Sequence, residues 1–264
     1  MIKHWIITGD THGRFDRFKY LDPQPDTAVI ILGDVGLNYN LNDHDRARKR
    51  ELAQYPFTFY CVRGNHEARP SDVKGMHLVA DENVGGALVW IEDDFPSIRY
   101  FCDWGIYNIN GLHTLVVGGA YSVDKRYRLA AGWEWFPNEQ LSRQERAECS
   151  AKTKGKQFDL VLSHTCPLSL QPTDLFLRNL DQSTVDNTME TWLEEAAQHF
   201  KWKLWLFGHY HTDRIEWPHC EIFYAEMEDL NDIVARWARY NKTGELDWWL
   251  PLSPKMNKIS TKGE

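Results

Sequence analysis

Short runs of apolar residues, rich in β-branched and aromatic side chains, recur along the chain, and each stops at a polar residue beside a turn former. Five segments share this pattern: HWIITGDTH, AVIILGD, FTFYCVRGNHE, FDLVLSH and LWLFGHYH. Such continuous apolar runs are typical of strands that are buried on both faces of a sheet. Ligands of these sheets bind beyond the strand ends, so the polar residues that follow each run are candidates for a functional site.

Helical patterns separate these runs, and their alternation with the strands predicts an α/β fold. They cover residues 14–21, 42–54, 138–153 and 183–200, the last with Ser183 as the predicted N-cap. Three apolar runs in the middle of the chain, GALVWIED, IRYFCDWGIYNIN and LHTLVVGGAY, follow one another through short turns. They favour two sheets rather than one. CEIFYAEM predicts a further strand, and residues 230–250 are ambiguous.

The length of 264 residues lies within the range of one α/β domain with insertions. We expect a single domain over residues 1–250 and a mobile tail over residues 251–264, because the segment SPKMNKISTKGE has little to bury. The longest apolar stretches are far shorter than the roughly 20 residues that span a bilayer, and MIKHWIITGD lacks a signal-peptide apolar region. We therefore expect a cytoplasmic protein with no membrane partner.

Charge and cysteine usage exclude some classes of function. With 30 Lys and Arg against 38 Asp and Glu, the formal net charge of −8 argues against a broad nucleic-acid-binding face. We interpret the basic segment RARKR, residues 46–50, as a solvated helix face. The five cysteines include no CxxC pair, which fits reduced thiols better than disulfides or a thiolate zinc site.

The first apolar run ends in GDTHG and places a carboxylate and an imidazole two residues apart. Asp10 and His12 would face the same side of an extended chain, which suits two ligands of one metal ion. Alternatively, Asp10 caps a following helix and His12 is merely exposed. This segment by itself leaves both interpretations open.

The polar residues at the five strand ends together form a mixed set of nitrogen and oxygen donors without thiolate. The set comprises Asp10, His12, Asp34, Asn65, His164, His209 and His211. These side chains are too many for one tetrahedral zinc but suit two adjacent divalent ions, provided that one carboxylate bridges them. Paired ions about 3.5–4 Å apart activate water at neutral pH and stabilise an in-line phosphoryl transition state. We predict two divalent metal ions, with Mn²⁺ as the first choice and Fe or Zn²⁺ as alternatives.

Five motifs resemble, in order and spacing, those of the calcineurin-like metallophosphoesterases. They are GDTHG at 9–13, GD at 33–34, RGNHE at 63–67, SH at 163–164 and GHYH at 208–211. The resemblance covers residues 9–211 and implies a four-layer αββα sandwich of two mixed β-sheets flanked by helices. It also implies a dinuclear metal site at the strand ends.

The resemblance further implies a role for each matching residue. One ion would be held by Asp10, His12, Asp34 and His211, and the other by Asp34 as the bridging ligand, Asn65, His164 and His209. His66 would face the scissile phosphate and stabilise or protonate the leaving oxygen. The implied reaction is hydrolysis of a phosphomonoester or phosphodiester, with nucleotides among the candidates, by attack of a metal-bridging hydroxide on a small phosphorylated substrate.

The sequence departs from the protein serine/threonine phosphatases of this superfamily at GDVGLNYN. Leu37 and Asn38 stand where those enzymes carry an Asp and a phosphate-binding Arg, so the resemblance does not imply a protein phosphatase. The segment 116–135 looks like the insertion of small bacterial and phage metallophosphoesterases. In it we predict Tyr121 and Arg126 as substrate-binding residues, the alternative being a surface loop that packs its tryptophans.

Two other functions compete with that of a small-molecule phosphoesterase. A nuclease would need to bind nucleic acid, which the acidic net charge disfavours. A non-enzymatic binding protein could retain the metal site as a structural clip. His66 argues against such a clip, because a structural site does not need a histidine outside its ligand set.

Overall fold

The computed structural model describes residues 2–22, 24, 26–176, 181–246 and 250–256. Within these ranges the chain forms fifteen β-strands and five α-helices. The strands are β1 (His4–Thr8), β2 (Thr27–Ile31), β3 (Thr58–Cys61), β4 (Met76–Asp81), β5 (Ala87–Glu92), β6 (Ile98–Phe101), β7 (Trp104–Ile109), β8 (Leu112–Val117), β9 (Gln157–Phe158), β10 (Leu160–Ser163), β11 (Lys201–Trp202), β12 (Trp205–Phe207), β13 (Arg214–Trp217), β14 (Cys220–Ile222) and β15 (Met227–Asp229). The helices are α1 (Asp43–Leu52), α2 (Lys125–Ala131), α3 (Arg143–Thr153), α4 (Thr188–Ala197) and α5 (Leu230–Thr243).

Two large mixed sheets, called sheet A and sheet B below, contain most of the described strands. Sheet A has seven of them in the order β15-β1-β2-β3-β6-β5-β4, and sheet B has six in the order β13-β14-β12-β10-β8-β7. The central strands of each sheet run parallel and its outer strands antiparallel. Strands β9 and β11 form a separate pair. The parallel centres require crossover connections, which explains the alternation of strands and helices along the sequence.

The two sheets face each other across a shared core, and helices cover their outer faces. Alternation along β2 shows this arrangement: Ala28 and Ile30 belong to the core between the sheets, whereas Val29 and Ile31 pack on the outside of sheet A with Leu52 of α1. On the outside of sheet B, residues of α3 and α4 pack in the same way. The result is the four-layer αββα sandwich that the family resemblance implies.

The predicted helices are found with shifted boundaries. α1 begins after Asn42, whose side chain accepts a hydrogen bond from the His44 backbone N–H at 2.9 Å. The segment 14–21 forms only a short 3₁₀ helix, Asp16–Tyr20. α4 begins after Asn187, so the prediction of Ser183 as its N-cap is wrong. The Ser183 N–H instead donates to the side chain of Asp181, two residues earlier, at 3.0 Å. Ser183 is thereby held in a separate 3₁₀ turn, Gln182–Thr184, that ends before α4 begins.

Two segments near the C-terminus, within residues 230–250 and 251–256, pack against the core. Within residues 230–250, α5 places Ile233 and Trp237 in the core between the sheets. The first residues of the predicted mobile tail, 251–256, are packed: the Ser253 N–H donates to the Ile215 carbonyl at 2.9 Å, and Met256 is buried. Residues 257–264 lie outside the described chain. Among the helices that the structure describes, none is both long and apolar enough to cross a membrane.

Candidate metal centre

The predicted ligands all lie where the carboxyl ends of strands from both sheets meet. In sheet A, the strands β1, β2 and β3 are parallel neighbours, and in sheet B so are β10 and β12. The residues that follow these strands are Asp10, His12, Asp34, Asn65, His164, His209 and His211. Parallel strands bring their carboxyl ends to one edge, which is why residues so distant in sequence become neighbours.

Strained backbone is concentrated at this edge. Among the described non-glycine residues with positive φ, four are predicted ligands: His12 (46°), Asp34 (45°), His209 (69°) and His211 (49°). Side chains disfavour this left-handed region, and such residues cluster at functional sites where surrounding contacts hold them. For His12 one such contact is the hydrogen bond from its N–H to the Asp34 carbonyl at 2.8 Å.

Two motif glycines allow the ligand-bearing strands to approach closely. A Cβ on Gly64 would lie 1.9 Å from Asp34 Oδ1, and a Cβ on Gly33 would lie 2.0 Å from His164 Nδ1. Any side chain at either position would therefore push a ligand out of place. The glycines of GD and RGNHE are explained by this crowding.

The first group of donors consists of Asp10, His12 and His211, whose ligand atoms lie within 4.8 Å of one another. The Nε2 atoms of His12 and His211 are 2.9 Å apart, and His211 Nε2 is 3.3 Å from Asp10 Oδ2. The 3₁₀ helix that follows has Phe15 as its N-cap, so the alternative in which Asp10 caps this helix is wrong. These three donors converge on one point.

The second group consists of Asp10, Asp34 and His164, with Asn65 beside them. His164 Nε2 lies 3.5 Å from Asp34 Oδ1 and 2.9 Å from Asn65 Oδ1. Its other ring nitrogen is 2.8 Å from the Leu32 carbonyl, which orients the ring. The carboxylate common to both groups is Asp10, whereas the family resemblance implies that Asp34 is shared.

His209 completes the set from the side of sheet B. Its backbone N–H donates to Asp10 Oδ1 at 3.0 Å, and its ring centroid lies 4.9 Å from that of His164. Burial and the nearby charge of His164 lower the pKa of His209 to about 3. The ring is therefore neutral at physiological pH and has a lone pair with which to bind a metal ion.

The two buried carboxylates are ionised. Burial raises the pKa of Asp34, but the charges of His164 and His66 outweigh it, so its pKa lies well below the usual value. The pKa of Asp10 is lowered as well, because His211 and His164 overcome the effect of burial. Negative charge buried at one point, surrounded by imidazole nitrogens, favours a bound cation.

One buried oxygen supports the fit of these donors to a metal ion. Asp10 Oδ2 is buried and accepts no hydrogen bond of normal geometry from any described residue. Its nearest polar neighbour is His211 Nε2 at 3.3 Å, and a buried carboxylate oxygen with no well-formed hydrogen bond is costly unless a cation neutralises it. Carboxylate, amide and imidazole donors together suit Mn²⁺, Fe or Zn²⁺.

His66 lies beside the donors. Its backbone N–H donates to Asp34 Oδ1 at 2.8 Å, and its ring centroid is 5.7 Å from that of His12. The His66 Nε2 atom is 3.8 Å from Asp124 Oδ1, an oxygen that is buried without a hydrogen bond from the described chain. Asp124 thus supplies a negative charge next to His66.

The family to which the chain belongs agrees with this geometry. A family model described as calcineurin-like phosphoesterase matches residues 4–213, which is most of the chain. The chain belongs to the calcineurin-like phosphoesterases. A solved structure, that of a phosphopantetheinyl hydrolase from Mycobacterium tuberculosis, is 13% identical with a TM-score of 0.46 over 92% of this chain and 93% of that one. Membership of the family supports metal-dependent hydrolysis of a phosphoester.

Two cavities of this phosphoesterase border the candidate donors. The first cavity, of about 520 Å³, is lined by His12, His66 and Tyr39 among others. The second cavity, of about 360 Å³, is lined by His209 and His211 together with aromatic residues such as Phe176 and Tyr210. Because His12 and His211 touch at Nε2, the two cavities meet at the donors.

The structure separates the two predicted substrate-binding residues. Tyr121 lines the second cavity, close to His209 and His211. Arg126 is exposed on α2 and lines neither of these cavities. Residues two apart on a helix point to opposite sides, so Arg128 of α2 turns inward while Arg126 turns to solvent.

Three further residues of the site were missed from sequence. Ser122 accepts a hydrogen bond from Asn65 Nδ2 at 2.9 Å, and its own hydroxyl donates to Glu139. Asp124 faces His66, and Arg48 lines the first cavity. Ser122 and Asp124 belong to the segment 116–135, in which substrate-binding residues were predicted. Only the fold shows which side chains of this segment face the donors.

Proposed function

We propose that this phosphoesterase hydrolyses a small phosphomonoester or phosphodiester at a dinuclear centre, with Mn²⁺ as the preferred metal. The observation that carries the proposal is the pair of overlapping donor groups formed by Asp10, His12, His211, Asp34 and His164 from both sheets. Asn65 and His209 lie next to His164, and His66 lies beside His12. A structural clip would need neither this number of donors nor two adjoining cavities. Bound there, divalent ions would activate water and stabilise the phosphoryl transition state as Lewis acids.

The chain's own residues would hold the ions and orient the substrate. We assign His12 and His211 with Asp10 to one ion, and Asn65, His164 and His209 to the other, with Asp34 shared. Hydrogen bonds from outside the set fix several of these ligands, including those of Asn65 with Ser122 and of His164 with Leu32. Such supporting contacts keep the donors aligned before substrate binds.

His66 is assigned as the proton or hydrogen-bond donor to the leaving oxygen. Its ring lies next to the first donor group and opens into the larger cavity. Asp124 would act as a positioning residue, because its carboxylate faces His66 Nε2 at 3.8 Å and can hold the ring towards the cavity. This is the acidic partner that Leu37 does not provide.

The cavities support a small substrate. Volumes of about 520 and 360 Å³ are of the size that accommodates small molecules or cofactors. The formal net charge of −8 disfavours tracking along a nucleic-acid backbone. A phosphoester of nucleotide size fits both observations.

A substrate panel tests the proposal. Phosphomonoesters, cyclic nucleotides, dinucleotides, and single- and double-stranded oligonucleotides would be assayed with Mn²⁺, Fe²⁺ or Zn²⁺, and with a chelator as control. We expect metal-dependent turnover of small phosphoesters. Preferential cleavage of oligonucleotides would favour a nuclease, and inactivity towards every compound with bound metal would favour a binding protein.

A further inference from the structure

Arg48 of α1 reaches the larger cavity from the side opposite the insertion. The side chain is half-buried and lines this cavity with His12 and His66. Its guanidinium lies directly on Gly13, the residue after His12: a Cβ on Gly13 would be 2.6 Å from Arg48 Cζ. The absence of a side chain at Gly13 thus permits a cation to lie next to a ligand-bearing turn.

The guanidinium of Arg48 has few partners in the described chain. Its Nη1 donates to the Gly36 carbonyl at 3.1 Å, and no carboxylate of the described ranges forms an ion pair with it. Its helix neighbours differ, since Arg46 pairs with Asp94 at 2.7 Å and Lys49 pairs with Glu92. Arg48 therefore keeps donors and an uncompensated charge for a ligand.

The other arginine of the cavity cannot take this role. Arg128 is fully buried, and its guanidinium donates to Ser122 and to the Glu134 carbonyl. It also lies 3.9 Å from the carboxylate of Asp124. Its donors and its charge are therefore used inside the protein, which leaves Arg48 as the arginine lining this cavity whose donors are available to an anion.

We propose that Arg48 binds a phosphate oxyanion of the substrate in the larger cavity. This inference rests on the proposed function for the identity of the ligand. An arginine offers a planar fork of donors that suits two phosphate oxygens, and a half-buried position strengthens the interaction relative to one in bulk water. The segment RARKR, taken as a solvated face from sequence, would thus contribute one residue to the site.

Arg48→Ala tests the inference, with Arg50→Ala as the matched control because Arg50 is exposed on the same helix. Calorimetry would measure the affinity of the Mn²⁺-loaded proteins for inorganic phosphate, and kinetics would separate KM from kcat. We expect Arg48→Ala to weaken phosphate binding and raise KM about 10- to 100-fold. Metal content and melting temperature should stay unchanged, and Arg50→Ala should resemble the wild type.

Comparison of nucleoside monophosphates with diphosphates identifies which phosphate is bound. An equal effect of Arg48→Ala on both substrates and on inorganic phosphate would place Arg48 at the scissile phosphate. A larger effect on the diphosphate would place it at a second phosphate. Both results support an oxyanion site.

Unchanged affinity for inorganic phosphate and unchanged KM for both nucleotides in a metal-loaded Arg48→Ala protein would overturn the inference. Loss of a metal ion from Arg48→Ala would also overturn the inference. Arg48 would then affect the site by positioning the turn that bears His12, and not by binding phosphate. If Arg48→Ala fails to fold, Arg48→Gln retains a donor for Gly36 and repeats the test. If the wild type cleaves no phosphoester, the proposed function fails, whereas phosphate affinity still decides the role of Arg48.

Discussion

At the scale of single residues, His66 and Asp124 form the pair on which the proposed proton transfer depends. His66 follows the ligand Asn65 on the loop after β3, and Asp124 comes from the insertion, with 3.8 Å between His66 Nε2 and Asp124 Oδ1. His66 was identified from the RGNHE motif. Its partner was not, because nothing local in the sequence indicates which acidic residue of the insertion will face it.

His66→Asn should retain both metal ions and the fold while losing about 10²- to 10⁴-fold in kcat on substrates with alkoxide-like leaving groups. Aryl phosphates should lose less, because their leaving groups need little protonation. Kinetics on matched alkyl and aryl phosphates, with metal analysis of each preparation, measure the difference. Equal losses on both substrates, or loss of an ion, would contradict the assigned role.

Asp124→Asn should lower kcat about tenfold or more on the same alkyl substrates, because it removes the negative charge that faces His66. The double variant with His66→Asn should be no slower than His66→Asn alone if Asp124 acts through His66. Asp93→Asn, at an exposed acidic residue, is the control. Additive losses in the double variant would show that Asp124 acts independently.

Asp34→Asn should remove or weaken both metal ions, because the substitution takes the negative charge from a shared ligand. Metal analysis after Mn²⁺ loading would count the ions in Asp34→Asn and Asp10→Asn. Two ions per chain are expected for the wild type, and a maximum of one would disprove the dinuclear centre. Loss of a single ion in Asp34→Asn, with both lost in Asp10→Asn, would transfer the bridging role to Asp10.

At the scale of elements, α5 joins the two sheets through one buried arginine. Arg236 donates to Glu221 of β14 in sheet B and to Glu228 of β15 in sheet A, each within 2.7 Å. Trp237 adds a hydrogen bond to Glu221 at 2.6 Å. These contacts also explain why CEIFYAEM, predicted as one strand, is divided between two sheets.

Arg236→Ala should reduce the free energy of unfolding by about 3–5 kcal/mol, because it leaves two carboxylates buried without their cation. Denaturant unfolding would measure the change, with exposed Lys242→Ala on the same helix as the control. We expect the control to change stability by less than about 0.5 kcal/mol. Similar stabilities for the two variants would show that α5 docks through its apolar face alone.

At the scale of the whole molecule, the metal centre lies on the seam between the sheets and draws donors from both. Asp10 and Asp34 follow strands of sheet A, and His164, His209 and His211 follow strands of sheet B. Buried carboxylates next to one another repel unless a cation neutralises them. Metal binding and the packing of the two sheets should therefore be linked.

Removal of metal by a chelator should lower the melting temperature by about 5–10 °C relative to protein with Mn²⁺ at about 100 times its dissociation constant. Thermal unfolding with and without chelator measures the difference. Asp34→Asn should show a smaller difference, since it binds metal less tightly. Identical melting temperatures with and without Mn²⁺ would contradict the link between the centre and the fold.

The sequence by itself determined the strands whose ends meet at this edge and the candidate donor residues that follow them. Continuous apolar runs and motif glycines are local signals, and they require no knowledge of distant contacts. Only the tertiary structure decided which other residues contact the donors and His66. Asp124 meets His66, Arg48 meets Gly13 and α5 meets both sheets because packing brings together segments that have no pattern in common. The start of α4 was likewise not predicted: it begins at Thr188, whose N–H donates to the Asp186 side chain at 2.9 Å, and not after Ser183. The sequence pattern thus predicts the existence of a helix better than its first residue.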